Sequence, residues 1–142
     1  MDQNSTMLEV GCGAGAIAQF FNCEYTGVDY SETLIEKHRS ILGNNVSVAE
    51  ANNLPFEDNS FDYVIIVGVC HYFPDKNYTN NVISEMQRVA KKAIFIGDLP
   101  VSSHDDTHLL FSKEDFREWV ITPSCYNDVR FNVHRRLTED DE

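Results

Sequence analysis

The sequence predicts an α/β fold: a doubly wound, mostly parallel sheet of seven strands with an antiparallel final strand. Three observations predict it. Short apolar runs alternate along the chain with stretches whose apolar residues recur at helical spacing, the pattern of parallel strands joined by right-handed crossovers. The most apolar run, FDYVIIVG, is continuous rather than alternating, as a central strand covered on both faces requires. The last two strand-like runs, WVIT and VRFNVHRRL, are joined through PSCYND with no helix between them. They should pair antiparallel at one edge, with the final strand inserted into the sheet.

Each element follows in order. MLEVG is a short buried strand, and AGAIAQFFN, with apolar residues at helical spacing, predicts a helix starting near Gly15. YTGVD, Tyr25 to Asp29, is the second strand. Ser31 stands at an N-cap ahead of ETLIEKHRSIL, and Gly43 sits just past its end as a stop. NVSVAEA is the third strand and LPFEDNS a loop before the fourth, FDYVIIVG. After Asp75, NYTNNVISEMQRVAK is an amphipathic helix whose basic end suits the helix dipole. KAIFIGD is the fifth strand, and Ser112 caps a short helix, KEDFREW. The 142 residues suit one domain, 1–142, in which 137–142 form an acidic, frayed tail.

Composition narrows the function. The net charge of −12 argues against a nucleic acid partner, because neutralising phosphates takes Lys and Arg. The opening MDQNST lacks a basic, apolar signal sequence, and no apolar run approaches the roughly 20 residues that span a bilayer. Cys12, Cys23, Cys70 and Cys125 are scattered without a CxxC pair, as expected of reduced thiols in a cytoplasmic protein, and no metal site is expected.

The chemistry concentrates after the first strand. In an open α/β sheet, ligands bind beyond the carboxyl ends of the strands where the strand order reverses. Gly11, Gly13 and Gly15 in GCGAGA allow close backbone approach there, and a following helix would aim free amides at the same place. A glycine turn needed only for tight packing is the bland alternative. Asp29, at the end of the second strand, weighs against it, since a carboxylate beside the loop can accept both hydroxyls of a ribose. Tyr30 follows and can flank a base. GCGAGA also satisfies the GxGxxA pattern of nicotinamide dinucleotide sites, but the chain is short for the substrate domain such oxidoreductases carry.

The ordered motifs resemble those of class I S-adenosylmethionine-dependent methyltransferases, in the type-11 methyltransferase domain group. LEVGCGAG resembles their first motif, YTGVDYS the second, VAEANNLPFEDNSFDYVIIVGVCHYF the third and fourth, and RVAKKAIFIGDLP the fifth strand. The resemblance runs from Met7 to Pro100 and more weakly to RFNV. It implies a Rossmann-like sheet, S-adenosylmethionine as cofactor and S-adenosylhomocysteine as product. It also implies residue roles. Glu9 orients the loop or the cofactor's amino group; Gly11, Cys12 and Gly13 line the methionine moiety, with Gly15 packed under it. Asp29 binds the ribose and Tyr30 flanks the adenine. Glu50 stands where the family usually has Asp, near the adenine amino group; the Ala51 backbone meets the adenine ring with Asn52 close by, and the backbone of Val67 and Gly68 meets the cofactor's amino group.

Methyl transfer from a sulfonium needs mainly alignment of donor and acceptor and exclusion of water, with a base only for a protonated acceptor. His71, after the fourth strand beside Tyr72, and Asp98, ending the fifth, are the candidate catalytic residues. His104 and His108 lie in VSSHDDTHLL, a polar loop placed to close over the site, and Tyr126 in the last hairpin is a further candidate to face the acceptor. The GVCHYF sequence after the fourth strand lacks the Asn/Asp-Pro-Pro-aromatic sequence of nucleic-acid amino-methylating relatives. A small-molecule acceptor is the expectation. Because the first strand starts near residue 7, the N-terminal cap helices of the family are expected to be largely missing. Val69 to Phe73 should then be more exposed than in relatives and be covered by a second copy, a partner chain or ordering of the 101–110 loop when ligand binds. A non-catalytic or partner-dependent cofactor-binding module is the alternative function.

Overall fold

The computed structural model describes residues 4–103, 105–124 and 129–138. Seven strands form one sheet: β1 (Thr6–Val10), β2 (Glu24–Asp29), β3 (Asn45–Val48), β4 (Phe61–Val67), β5 (Ala90–Pro100), β6 (Val120–Pro123) and β7 (Arg130–Arg136). Their order is β3-β2-β1-β4-β5-β7-β6, with β7 antiparallel to both neighbours and the rest parallel. The predicted doubly wound sheet with an inserted last strand is therefore present. The order reverses between β1 and β4, so the loops after these strands open a crevice at their carboxyl ends.

Among the described residues, two α-helices flank the sheet. α1 (Glu32–Leu42) is capped by Ser31, whose side chain accepts from the Leu34 amide, and stops at Gly43 in a left-handed conformation, φ 69°. α2 (Lys76–Val89) is capped by Asp75, which accepts from the Tyr78 amide. Along β1 the pleat sends Leu8 and Val10 into a core with Val82, Met86 and Val89 of α2, Ile94 and Ile96 of β5, and Phe131 and Val133 of β7. Glu9 turns to the other face, where Ile35 of α1 packs with Cys12, Val46 and Tyr25.

The helix expected after Gly15 is absent. Only a 3-10 turn, Ala18–Phe20, forms there, and Phe21 leaves it extended at φ −95°, ψ 138°. Distance explains this. The eight residues 16–23 must return the chain to the foot of β2, a six-residue strand. That strand is about 20 Å long, whereas eight helical residues advance only about 12 Å. The KEDFREW helix shrinks likewise to a 3-10 turn, Lys113–Phe116, closed by a Ser112–Asp115 capping box.

The expected loop before β4 is held from α2. The Arg88 guanidinium donates to the carbonyls of Leu54 (2.9 Å) and Phe56 (2.7 Å), and pairs with Asp58 (3.0 Å) and Glu85 (2.9 Å). Glu85 in turn accepts from the Leu54 amide at 2.8 Å. One cation thus fixes the segment that carries the chain from Glu50 back to β4.

Candidate functional site: a glycine loop and an acid-walled cavity

The loop after β1 takes three left-handed glycines, Gly11 (φ 74°), Gly13 (φ 54°) and Gly15 (φ 98°). The Gly11 and Cys12 amides donate to the Val28 carbonyl at 2.8 and 2.9 Å, which stitches the loop to β2. Asp29, 7% exposed, divides its carboxylate: Oδ2 accepts from the Gly13 amide and Oδ1 from the Ser31 amide, each at 2.9 Å. A single carboxylate therefore ties the glycine loop to the start of α1.

Beside this loop is a cavity of about 280 Å³. Gly11, Asp29, Tyr30, Glu50 and Ala51 all line it, so five of the residues singled out from sequence come together. Val69, Tyr72, Phe73 and Tyr78 complete an apolar wall. Tyr78 was not foreseen: it sits in the first turn of α2, and only the fold brings that turn to the crevice. Phe73 and Tyr78 pack ring on ring at 4.9 Å.

The other sequence candidates stand beside the cavity rather than in its lining. Cys12 turns its thiol toward β2, where a Cβ on Gly27 would lie 2.9 Å from the sulfur. Burial, followed by the charges of Glu9 and Asp29, pushes that thiol up to about 12, so it is no nucleophile. Gly15 packs over α1, where an added Cβ would meet Leu42 at 2.5 Å and the His38 ring at 3.1 Å. Asn52 is outside the lining. Val67 points to the opposite face, into a second, apolar cavity with Phe21, Phe95 and His134, because the pleat alternates along β4. The Gly68 amide donates to the Gly97 carbonyl at 3.1 Å.

Glu9, 2% exposed, accepts from the Tyr25 hydroxyl at 2.6 Å and lies under the loop, away from the cavity. Desolvation pushes its carboxyl up to about 7, aided by the Asp29 charge and opposed by the Tyr25 hydrogen bond. A carboxyl raised on folding takes up protons in the native state, so its contribution is favourable at low pH and is lost as pH rises from 4.5 toward 7. Stability should fall by about 2 kcal/mol between pH 5 and pH 8 from this group alone. Glu9→Gln should flatten the dependence; thermal melts of both proteins across that range check it. An identical slope in the variant would place the titration elsewhere.

The candidate acceptor side is built from the ends of β4 and β5. His71 is buried, its ring packed on those of Tyr72 (4.0 Å) and His108 (4.6 Å), and among the described residues its Nδ1 has no hydrogen-bond partner. Burial, then the proximity of His108 and Arg130, lower its pKa, while Asp98 pulls the other way. His71 is therefore neutral at neutral pH. Asp98 occupies a left-handed conformation, φ 57°, at an irregularity where β5 slips register on β7. Its amide donates to Asn132, its carbonyl accepts from Arg130 and its carboxylate accepts from Ser124.

The segment 69–73, expected to need a cover, is largely covered within this chain. Only Tyr72 is strongly exposed, at 70%; Cys70 and His71 are buried. The Leu109 amide donates to the His71 carbonyl at 2.8 Å, so the segment around His108 already lies over this turn. His108 is held by Ser103 and Asp105. His104 and Tyr126 lie outside the described residues.

These residues fit S-adenosylmethionine. A Cβ on Gly13 would meet nothing within 4 Å, so the loop backbone faces open space at its left-handed centre. Asp29 and Glu50 offer acceptors for hydroxyl and amine groups, and the aromatic wall suits a purine.

Comparison with known proteins agrees. The family model "Methyltransferase domain" matches residues 8–96. A probable tRNA methyltransferase 9B from Bos taurus is 40% identical over 86 residues, which are 60% of this chain and 19% of that protein. A tRNA (carboxymethyluridine(34)-5-O)-methyltransferase from Arabidopsis thaliana is 32% identical over 137 residues, 92% of this chain and 34% of that protein. The chain thus spans a fifth to a third of the length of these relatives. Among solved structures, a SAM-dependent methyltransferase from Methanosarcina mazei superposes with a TM-score of 0.82 at 15% identity, covering 96% of this chain and 93% of that one. A putative methyltransferase from Haloferax volcanii, solved in complex with the Trm112 methyltransferase activator, gives 0.76 at 13% identity, covering 100% and 86%. A family model that covers more than half of the chain, laid on a sheet of this strand order, places the chain in the class I S-adenosylmethionine-dependent methyltransferase family.

Proposed function

We propose that this domain holds S-adenosylmethionine in the acid-walled cavity and presents its methyl group to a nucleophile on a modified uridine of tRNA, with the RNA gripped chiefly by protein outside this chain. The observation that carries the acceptor is the similarity to the Arabidopsis tRNA methyltransferase, which runs along 92% of the chain and so includes the acceptor side. It counts against the expectation that nucleic acid plays no part. The net charge of −12 bears on the grip, because this chain has few cations to spare for phosphates. The residues divide the work. Asp29 and Glu50 accept from the hydroxyl and amine groups of the nucleoside, and the Tyr30, Phe73 and Tyr78 rings flank its base. The sulfonium supplies an electrophilic methyl group. Neutral His71 is placed to take a proton from a hydroxyl acceptor, while a carboxylate acceptor needs no base. A cytoplasmic location is part of this proposal, since four scattered cysteines suit reduced thiols.

The same acidic charge favours a second reading, a small-molecule acceptor. The test supplies tritiated S-adenosylmethionine with unfractionated tRNA and, separately, with a low-molecular-weight cell extract. Label in tRNA, at a uridine, supports the first reading. Label only in small molecules supports the second. Cofactor binding without label in either fraction points to a domain that needs a partner, as the Haloferax neighbour was solved with an activator.

A further inference from the structure

The glycine loop has lost the support that the sequence promised it. A helix opening near Gly15 would have fixed the loop from its far side; the chain instead makes one 3-10 turn there. Glycines are the residues whose backbones are least restrained, so a loop with three of them needs anchors to hold one shape. The amides of Gly11 and Cys12 are anchored on Val28, and the Gly15 amide closes a turn on the Cys12 carbonyl at 3.1 Å. Between them stands Gly13.

We propose that His38 is a positioning residue for the cofactor loop, fixing the carbonyl of Gly13 while Asp29 fixes its amide. His38 is fully buried on α1. Its Nδ1 lies 3.1 Å from the Gly13 carbonyl oxygen, and its Nε2 lies 3.0 Å from Nδ2 of Asn44. The Gly13 carbonyl can only accept, so Nδ1 carries the proton it donates there, and Nε2 is left to accept from the Asn44 amide. The Gly13 residue is thus held at both ends: by Asp29 at the end of β2 and by His38 from the middle of α1. Asp29 also holds the Ser31 amide at the start of α1. Loop, β2 end and helix form one closed unit. Gly15 seals it, since a side chain there would strike the His38 ring. The support promised by a helix after the loop is supplied by the next helix along the chain.

The inference deepens the reading of this loop as the cofactor cradle and rests on it. Three variants test it: His38→Leu, which keeps bulk and loses the donor; His38→Asn, whose Nδ2 replaces the lost donor at the same number of bonds from the backbone; and Val89→Ala, a buried change on α2 away from the loop. Two readouts are taken: S-adenosylhomocysteine affinity by calorimetry, and exchange of the Gly13 amide hydrogen by NMR in the ligand-free protein. His38→Leu should weaken binding about tenfold, the loss of one hydrogen bond, and speed Gly13 exchange by a similar factor. His38→Asn should recover most of both. Val89→Ala should lower the melting temperature and leave both readouts unchanged. Wild-type affinity and exchange in a folded His38→Leu protein would overturn the proposal, as would His38→Asn performing no better than His38→Leu. Should His38→Leu fail to fold, Asn44→Ala, which releases the tautomer, must weaken binding and speed exchange in the same direction, and no change in either overturns it. If the wild type binds no S-adenosylhomocysteine yet Gly13 exchange responds as stated, the loop assignment to His38 stands and the cofactor reading falls.

Discussion

Asp29→Ala is expected to weaken S-adenosylhomocysteine binding by about 3 kcal/mol, more than 100-fold, while leaving the protein folded. Two losses add. The first is the pair of ribose hydroxyls that a carboxylate at the end of β2 is placed to accept, where hydrogen bonds to a charged group contribute about 1.5–3 kcal/mol. The second is internal. Both carboxylate oxygens already accept amides, from Gly13 and Ser31, so truncation releases the loop at the moment a ligand needs it held. The fold should survive because α1 keeps its separate cap, the Ser31 side chain on the Leu34 amide. Asp29→Asn keeps one acceptor oxygen and turns an NH2 toward an amide, so its loss should be intermediate, about tenfold. Titration calorimetry on both variants, with circular dichroism to verify folding, measures the two steps. Unchanged affinity in a folded Asp29→Ala protein would sink the assignment of this carboxylate to the ribose.

Much of this arrangement was legible in the sequence because it depends on local signals. Ser31, Gly43 and Asp75 act at the termini where their side chains or backbones suggest, and the unbroken FDYVIIVG run lies in the sheet centre as β4. The Asp29 carboxylate was found through its distance from the glycines, which parallel strand pairing converts into proximity. What escaped has a different origin. The missing helix after Gly15 was hidden because apolar spacing records what a segment would bury, not whether it has the length to return across a strand. Tyr78 joined the cavity through the crossover of α2, and no spacing rule relates it to Asp29. His38 reads in sequence as one position of an amphipathic helix. Only the left turn of the loop, which lays the Gly13 carbonyl over α1, gives that imidazole its partner. The cover over Cys70 and His71 was foreseen only as a polar loop, VSSHDDTHLL; the bond that seats it, from the Leu109 amide to the His71 carbonyl, depends on how two loops meet.

Gly13→Val is expected to abolish cofactor binding without unfolding the chain, and the structure says why these two outcomes separate. At Gly13 the backbone is left-handed, φ 54°, yet an added Cβ would touch no protein atom within 4 Å. The protein should therefore bear only the backbone strain of a branched residue in that region, about 1–2 kcal/mol, a fall of several degrees in melting temperature. The ligand bears the rest. On the proposed reading the methionine moiety lies against the loop in the open space over Gly13, and two methyl groups placed there would exclude it. A micromolar affinity should drop beyond millimolar, a change of about 4 kcal/mol or more. Gly15→Val supplies the contrast. There a Cβ would come within 2.5 Å of Leu42 and 3.1 Å of His38, so the damage falls on the packing of the loop against α1 and appears first as lost stability. Calorimetry and thermal melts on the pair distinguish a blocked surface from a broken one. A folded Gly13→Val protein that binds S-adenosylhomocysteine within a few-fold of wild type would mean that no ligand rests on this backbone, and the cradle would have to be sought on the Glu50 side of the cavity instead.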